Sequence, residues 1–311
     1  MPMPPGSRPT PTTGLVGFRR GANPVEVGVL VADTSGGVPK EVIPLTDLKA
    51  FWADPFGAVE LVESARQEHE AVEVKSVTIV PPILPSARIF CVGLNYHDHV
   101  AEGTFANDEP PRYPTLFARW PASLTVGGNS IPVPLDEEGL DWEAEVMAYV
   151  GRPLREVDSE AALSSVVGYS TFNDVTARRA QKLTSQWILG KNADRSGPLG
   201  PLVPASEVGD LRDGLSIEAR VNGTVVQSAS TASMIYSVGD TLAHISRTVT
   251  LQPGDLLATG TPSGVGYART PPWLMGPGDR VEVEVEKLGV LRNSITDGTR
   301  DIDSDLTSEK D

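Results

Sequence analysis

Glycine and proline interrupt this chain so often that long helices have little room to form. There are 30 glycines and 27 prolines in 311 residues. Proline removes a backbone donor and fixes φ, and glycine loosens the backbone, so the regular elements between them must be short. With only 6% aromatic residues, the pattern predicts many short strands and turns rather than a helical bundle. Strand-like runs span residues 25–31, 89–94, 142–150, 166–173, 216–221, 224–227, 255–260 and 280–286. Helical spacing is found at 58–72, 159–166 and 234–248. The Asn222-Gly223 pair between two strand-like runs signals a type I′ hairpin. Val281, Val283 and Val285 alternate with Glu282, Glu284 and Glu286, as in a half-buried strand with its glutamates toward water. The order of elements has no βαβαβ rhythm, which argues against a doubly wound parallel sheet.

This reading divides the chain into four parts. Residues 1–14 form a disordered lead, rich in Pro, Ser and Thr and without the apolar stretch of a signal peptide. Residues 15–80 form a small N-terminal αβ domain. The run Pro81-Pro82-Ile83-Leu84-Pro85 links it to a main domain over 86–296. An acidic, frayed tail occupies 297–311. The polar, Pro-rich stretch 104–114 is either a mobile flap near a site or an ordinary surface loop. A hydrophobic share of 40% is enough for a substantial core.

Charge and cysteine content narrow the function classes. With 41 acidic against 26 basic residues, the formal net charge is -15. Nucleic acid and anionic membrane surfaces require a basic face, so neither is expected as a partner. An anionic substrate would need a local cation. The lone Cys91 cannot form an intramolecular disulfide, which suits a reducing, cytoplasmic setting. No apolar run reaches transmembrane length.

Three carboxylates stand out. On a strand, Glu143 and Glu145 point to one face, and a strongly apolar run follows them. Two carboxylates entering such a strand repel each other and lose solvation unless a cation joins them. Taken alone, the pair also fits a solvated strand face. Asp174 ends another apolar segment, where it could equally cap the next helix. Together the three make an all-oxygen donor set suited to Mg²⁺, with Mn²⁺ or Ca²⁺ as alternatives, and unsuited to zinc. His99 and Glu102 are three residues apart, so on a helical turn a carboxylate would orient the imidazole as a general base; a surface helix is the plainer alternative. His97 lacks such a partner, and His69 and His244 read as structural. Lys191, within Gly190-Lys191-Asn192, could hold a substrate carboxylate or a developing oxyanion. Arg178, Arg179 and Gln181 could do the same, although each cation could simply be solvated. The Gly-rich run from Thr259 to Gly266 could present backbone N–H groups to an anion, and it matches neither the P-loop nor the dinucleotide pattern.

Taken in order, these motifs resemble the fumarylacetoacetate hydrolase family. The matching stretches are Cys91-Val92-Gly93-Leu94-Asn95-Tyr96-His97-Asp98-His99 with Glu102, Asp141 to Glu145, Gly168-Tyr169 to Asn173-Asp174, and Gln186-Trp187 to Lys191. Asn222-Gly223, Thr259 to Gly266 and Pro277-Gly278-Asp279 complete the set, which runs from about residue 89 to 293. The resemblance implies an α+β, β-rich fold: a mixed β-sandwich roll of the fumarylacetoacetase C-terminal type, with the small N-terminal αβ unit attached. It also implies a homodimer and a bound Mg²⁺ (or Mn²⁺) on Glu143, Glu145 and Asp174. His99 and Glu102 would activate water. Lys191, Thr261, Arg178 and Gln181 would contact substrate. At Arg119 many relatives carry Lys, so charge is kept while the geometry of that expected substrate contact changes. The matching motifs offer no counterpart for the additional aspartate ligand of fumarylacetoacetase itself, which points to the smaller bacterial-type relatives.

The chemistry implied is hydrolytic cleavage of a C–C bond in a β-diketo acid of acylpyruvate or fumarylpyruvate type, through a metal-stabilised enolate. Decarboxylation of oxaloacetate or a related oxo-diacid, and isomerisation of a hydroxymuconate-type dienol in aromatic catabolism, use the same enolate. A non-catalytic ligand-binding protein on the same scaffold is the alternative of another class.

Overall fold

The computed structural model describes residues 13–31, 39–98 and 112–298. Most of the 1–14 lead, the 297–311 tail and the 104–114 stretch lie outside the described residues, as do His99 and Glu102. The architecture is a mixed, sheet-rich α+β fold of three sheets with few, short helices.

The first sheet is built from β1 (Leu15–Arg19), β2 (Glu26–Val31), β3 (Glu41–Asp47), β4 (Val72–Glu73) and β5 (Thr78–Val80), in the order β4-β3-β2-β1-β5. Three helices follow β3: α1 (Leu48–Ala53), α2 (Pro55–Glu60) and α3 (Val62–Glu68). The helix expected over 58–72 is therefore displaced and divided. It begins earlier because Asp54 caps the N–H of Gly57 at 3.1 Å and Pro55 sits at the first helical position. It ends earlier because Val72 pairs with Val42 in the sheet.

The second sheet carries the site. Its strands are β6 (Ile89–Gly93), β7 (Thr115–Arg119), β8 (Leu124–Val126), β10 (Ala144–Val150), β11 (Val166–Asn173), β12 (Gly197–Leu199) and β16 (Leu256–Ala258). They run in the order β7-β6-β16-β10-β11-β12-β8, and β13 (Val203–Pro204) pairs with β11. The third sheet is β15-β14-β17-β18-β9, from β9 (Ser130–Val133), β14 (Ser216–Val221), β15 (Thr224–Ser230), β17 (Arg280–Val285) and β18 (Gly289–Asp297). Asn222 and Gly223 close the β14–β15 hairpin at φ +51° and +80°, the positive-φ pair that a type I′ turn requires. On β17 the valines are buried. Glu282 and Glu284 form ion pairs with Arg292 and Arg220.

Every residue of β10 is buried. Ala144, Val146, Ala148 and Val150 pack into one core with the third sheet, while Met147 and Tyr149 join a second core. That second core also takes Leu15, Val27, Val29, Phe51 and Trp52 from the N-terminal region. The N-terminal region is thus bonded to the central sheet by shared apolar packing and by the Leu15–Leu202 backbone bridge. The helix expected over 234–248 is confined to Val238–Ser246, because a capping box between Ser237 and Asp240 starts it there.

Candidate active site

Strand register brings the three carboxylates together. Ala144 faces Asn173 across the antiparallel β10–β11 pair. One residue outward, Glu143 lies opposite Asp174, with the Asp174 N–H donating to the Glu143 carbonyl at 2.9 Å. Directly opposed residues in an antiparallel pair share a face, and the two-residue period puts Glu145 on that face too. One oxygen from each of Glu143, Glu145 and Asp174 falls within 4.8 Å of the others, and all three residues are buried.

Cations crowd the same spot. The ammonium of Lys191 donates to Glu143 Oε2 and to Asp174 Oδ2, each at 2.6 Å. Arg178 donates from Nη2 to Glu143 Oε1 at 2.8 Å and from Nε to Asp141 Oδ2 at 2.8 Å. Gln181 Oε1 accepts from Arg178 Nη1 at 3.0 Å. The expected substrate contact Arg119 has its guanidinium occupied behind the site. It donates to Asp174 Oδ1 and to Ser196 Oγ, and its side chain is 0% exposed.

Lys191 arrives through a close crossing of two short helices, Arg178–Gln181 and Ile188–Lys191. A Cβ on Gly190 would sit 2.4 Å from the Cβ of Gln181. The glycine beside Lys191 thus serves helix–helix approach, and Ala177 N–H donates to its carbonyl at 2.9 Å.

The electrostatics follow from burial. Glu145 is held well above the usual carboxylate range, first by burial and then by the charges of Asp174 and Glu143, against the opposing pull of Lys191 and the Gly260 N–H. Burial works against the charge of Lys191, yet Asp174 and Glu143 outweigh it and raise its pKa. The same competition, with Asp141 and Glu143 prevailing, raises that of Arg178. Among the described residues, the cations paired with Asp141, Glu143 and Asp174 are Arg119, Arg178 and Lys191, all buried. Counted as ionised, these carboxylates together with Glu145 would outnumber the cations by one, and the raised pKa of Glu145 means that the ion-free cluster balances itself by keeping a proton there. An all-oxygen, buried donor set that holds a proton in the absence of a further cation fits a hard divalent ion, with Glu143, Glu145 and Asp174 as its holders.

Several participants escaped the sequence reading. Asp141 accepts from Arg178 and from the N–H groups of Trp142, Gly266 and Tyr267. It thereby ties the Gly-rich loop to the carboxylate strand; its adjacency to Trp142-Glu143 was the only signal. Asn173 Oδ1 accepts the Glu143 N–H at 2.9 Å, and Gly260 N–H donates to Glu145 Oε2 at 2.9 Å. Thr261, which the sequence reading did name as a substrate contact, is buried and accepts from Gln227 Nε2 at 2.9 Å. The Tyr96 hydroxyl is buried with no partner among the described residues. His97 is exposed, and His244 stacks on Tyr113.

Fold and site together define an enzyme family built on a sheet-rich α+β scaffold with a buried acidic cluster. The chain belongs to the fumarylacetoacetate (FAA) hydrolase C-terminal family, which matches residues 88–296. It is 38% identical over 221 residues to the mitochondrial oxaloacetate tautomerase Fahd2a of Rattus norvegicus, covering 70% of this chain and 69% of that protein. The corresponding protein of Xenopus laevis is 35% identical over 241 residues, covering 76% and 75%. Among solved structures, the fold matches a 2-hydroxyhepta-2,4-diene-1,7-dioate isomerase from Mycobacterium marinum (TM-score 0.71, 27% identity, 91% and 98% covered). A fumarylacetoacetate hydrolase from Exiguobacterium antarcticum gives TM-score 0.73 and 30% identity, covering 92% and 100%.

Proposed function

We propose that this chain is a Mg²⁺- or Mn²⁺-dependent enzyme that interconverts keto and enol forms of small 2-oxo acids, with oxo-diacids of oxaloacetate type as substrates. The observation that carries this is the buried cluster of Glu143, Glu145 and Asp174, in which Glu145 keeps a proton that a divalent ion would displace. The likeness to oxaloacetate tautomerases and to a dienedioate isomerase supports proton transfer over C–C hydrolysis as the main reaction.

When bound, the ion would draw off negative charge developing on the oxygens of a chelating 2-oxo acid. The chain's own residues do the rest. Lys191 keeps its proton and supplies a fixed positive charge beside the reacting oxygens. Arg178, oriented by Asp141 and Gln181, gives a second charged donor. Thr261 and Tyr96 supply hydroxyls for the substrate's polar ends. His99 with Glu102 is the proposed pair for moving the proton at carbon. Arg119 acts on Asp174 rather than on substrate.

Decarboxylation of an oxo-diacid draws on the same charge stabilisation and is the companion activity. Hydrolysis of acylpyruvates additionally needs a water activated by His99. We further propose a homodimer in a reducing compartment, consistent with the single, buried Cys91; light scattering checks the oligomeric state.

The direct test follows the ultraviolet absorbance of enol-oxaloacetate with Mg²⁺ or Mn²⁺, alongside pyruvate release from oxaloacetate and from an acylpyruvate. Enol decay should be accelerated and saturable in the native chain and lost in Asp174→Asn. Acylpyruvate cleavage without any acceleration of enol decay would replace this reading with the hydrolase.

A further inference from the structure

We propose that Gln227 is a positioning residue that turns Thr261 into an obligate hydrogen-bond donor toward the substrate's anionic oxygen. The proposal rests on the reading of the site given above.

The need for Gln227 arises where strand β16 ends. Its ladder with β10 stops at Ala258, opposite Met147. Beyond that point one backbone bond remains, from the Thr259 N–H to the Val146 carbonyl at 3.0 Å, and side chains take the outward N–H groups of β10. Thr259 Oγ1 accepts the Val146 N–H at 3.2 Å. Gln227, reaching in from the third sheet, accepts the Ala144 N–H on Oε1 at 3.0 Å. Ala144 lies between Glu143 and Glu145, so this bond anchors the backbone that carries both carboxylates.

The opposite end of the same amide is thereby fixed. Gln227 Nε2 donates to the Pro262 carbonyl at 2.8 Å and to Thr261 Oγ1 at 2.9 Å. A flipped amide would set oxygen against the Pro262 oxygen and NH₂ against the Ala144 N–H, so chemistry excludes it. Thr261 must then accept from Gln227, and its own hydrogen has no acceptor among the described residues. The preceding residue, Gly260, already holds Glu145. A buried hydroxyl with an unspent hydrogen beside the carboxylate cluster is prepared for an acceptor from outside the chain, and an anionic carboxylate or enolate oxygen supplies one.

The test is a double-mutant cycle on the full chain, with oxalate as probe, a planar dioxo dianion resembling the enolate of a 2-oxo acid. Oxalate binding to the Mn²⁺-loaded protein is measured by calorimetry, with Mn²⁺ affinity and Tm recorded in parallel. Thr261→Val and Gln227→Met should each weaken oxalate about tenfold; Mn²⁺ affinity should be unchanged in Thr261→Val, whereas Gln227→Met, which also strips the acceptor from the Ala144 N–H, is compared at saturating Mn²⁺. The double variant should be no weaker than either single one, and Thr261→Ser should bind like the native chain. Should Gln227→Met fail to fold, Gln227→Asn serves: its uncharged amide is one methylene too short to bridge Ala144 to Thr261, so oxalate weakens likewise. Additive losses, or a lowered Tm and Mn²⁺ affinity with oxalate binding intact, would overturn the positioning role. A native chain that binds neither Mn²⁺ nor oxalate would instead overturn the site reading on which it rests.

Discussion

Arg119 and Asp174 form an ion pair in which neither side chain has any exposed surface. Arg119 donates to one oxygen of Asp174 while Lys191 takes the other. The aspartate is thus clamped from both sides, and its carboxylate plane is set before any ion or substrate arrives. The Arg119 fork also reaches Ser196 and Ser123, contacts that a lysine could not make together.

Removing one partner of such a pair strands the other charge in a dry interior. Arg119→Met is expected to cost about 3–5 kcal/mol of folding stability, read from urea unfolding. Arg119→Lys keeps the charge and should fall between that variant and the native chain. A loss under 1 kcal/mol for Arg119→Met would show that the clamp carries little of the fold's stability.

Glu145 gives a pH dependence whose sign is set by its raised pKa. The folded, ion-free protein holds this proton where the unfolded chain, with a value near 4.5, releases it. The associated stability is fully present below pH 4.5 and is lost as pH rises through the folded value. Glu145→Gln should therefore raise the Tm of ion-free protein at pH 8 and leave it little changed at pH 4. The same variant should abolish the Tm increase produced by Mg²⁺ or Mn²⁺ in the native chain. Retention of that increase would remove Glu145 from the ligand set.

Gly190→Ala forces a Cβ to 2.4 Å from that of Gln181. Relief requires the two short helices to separate, with a cost of about 1–3 kcal/mol. Lys191 moves with its helix, so kcat for enol-oxaloacetate should drop well beyond the change in KM. Unchanged kcat with lowered Tm would mean that Lys191 is not set by this crossing.

Asp141→Asn retains the shape but loses the charge that Arg178 pairs with and part of the acceptance of three backbone N–H groups. We expect destabilisation of about 2–4 kcal/mol. Limited proteolysis should become faster in the 263–270 stretch, mapped by mass spectrometry. Protection equal to that of the native chain would show that the loop is held by other contacts.

Much of this site could be read from local pattern. Glu143 and Glu145 obey a two-residue period, Asp174 closes a visibly apolar strand, and Asn222-Gly223 specifies its turn. Other parts had no local sign. Arg119 resembled a substrate contact because its neighbours match a motif, and only its distance from Asp174 in space reveals a clamp. Gln227 looked like the last residue of an ordinary hairpin strand. The helix expected over 58–72 failed because Val72 was claimed by a strand partner thirty residues earlier, a competition that helical spacing does not register.

By itself, the sequence determined the sheet-rich class, the carboxylate trio and the family, since periodicity, turn residues and motif order are properties of neighbours along the chain. Only the tertiary structure decided which groups hold those carboxylates. Arg119 meets Asp174 across 55 positions and Gln227 meets Ala144 across 83. Such pairings are fixed by where strands end and which buried donors still lack an acceptor, and that is settled only when the sheets close on one another.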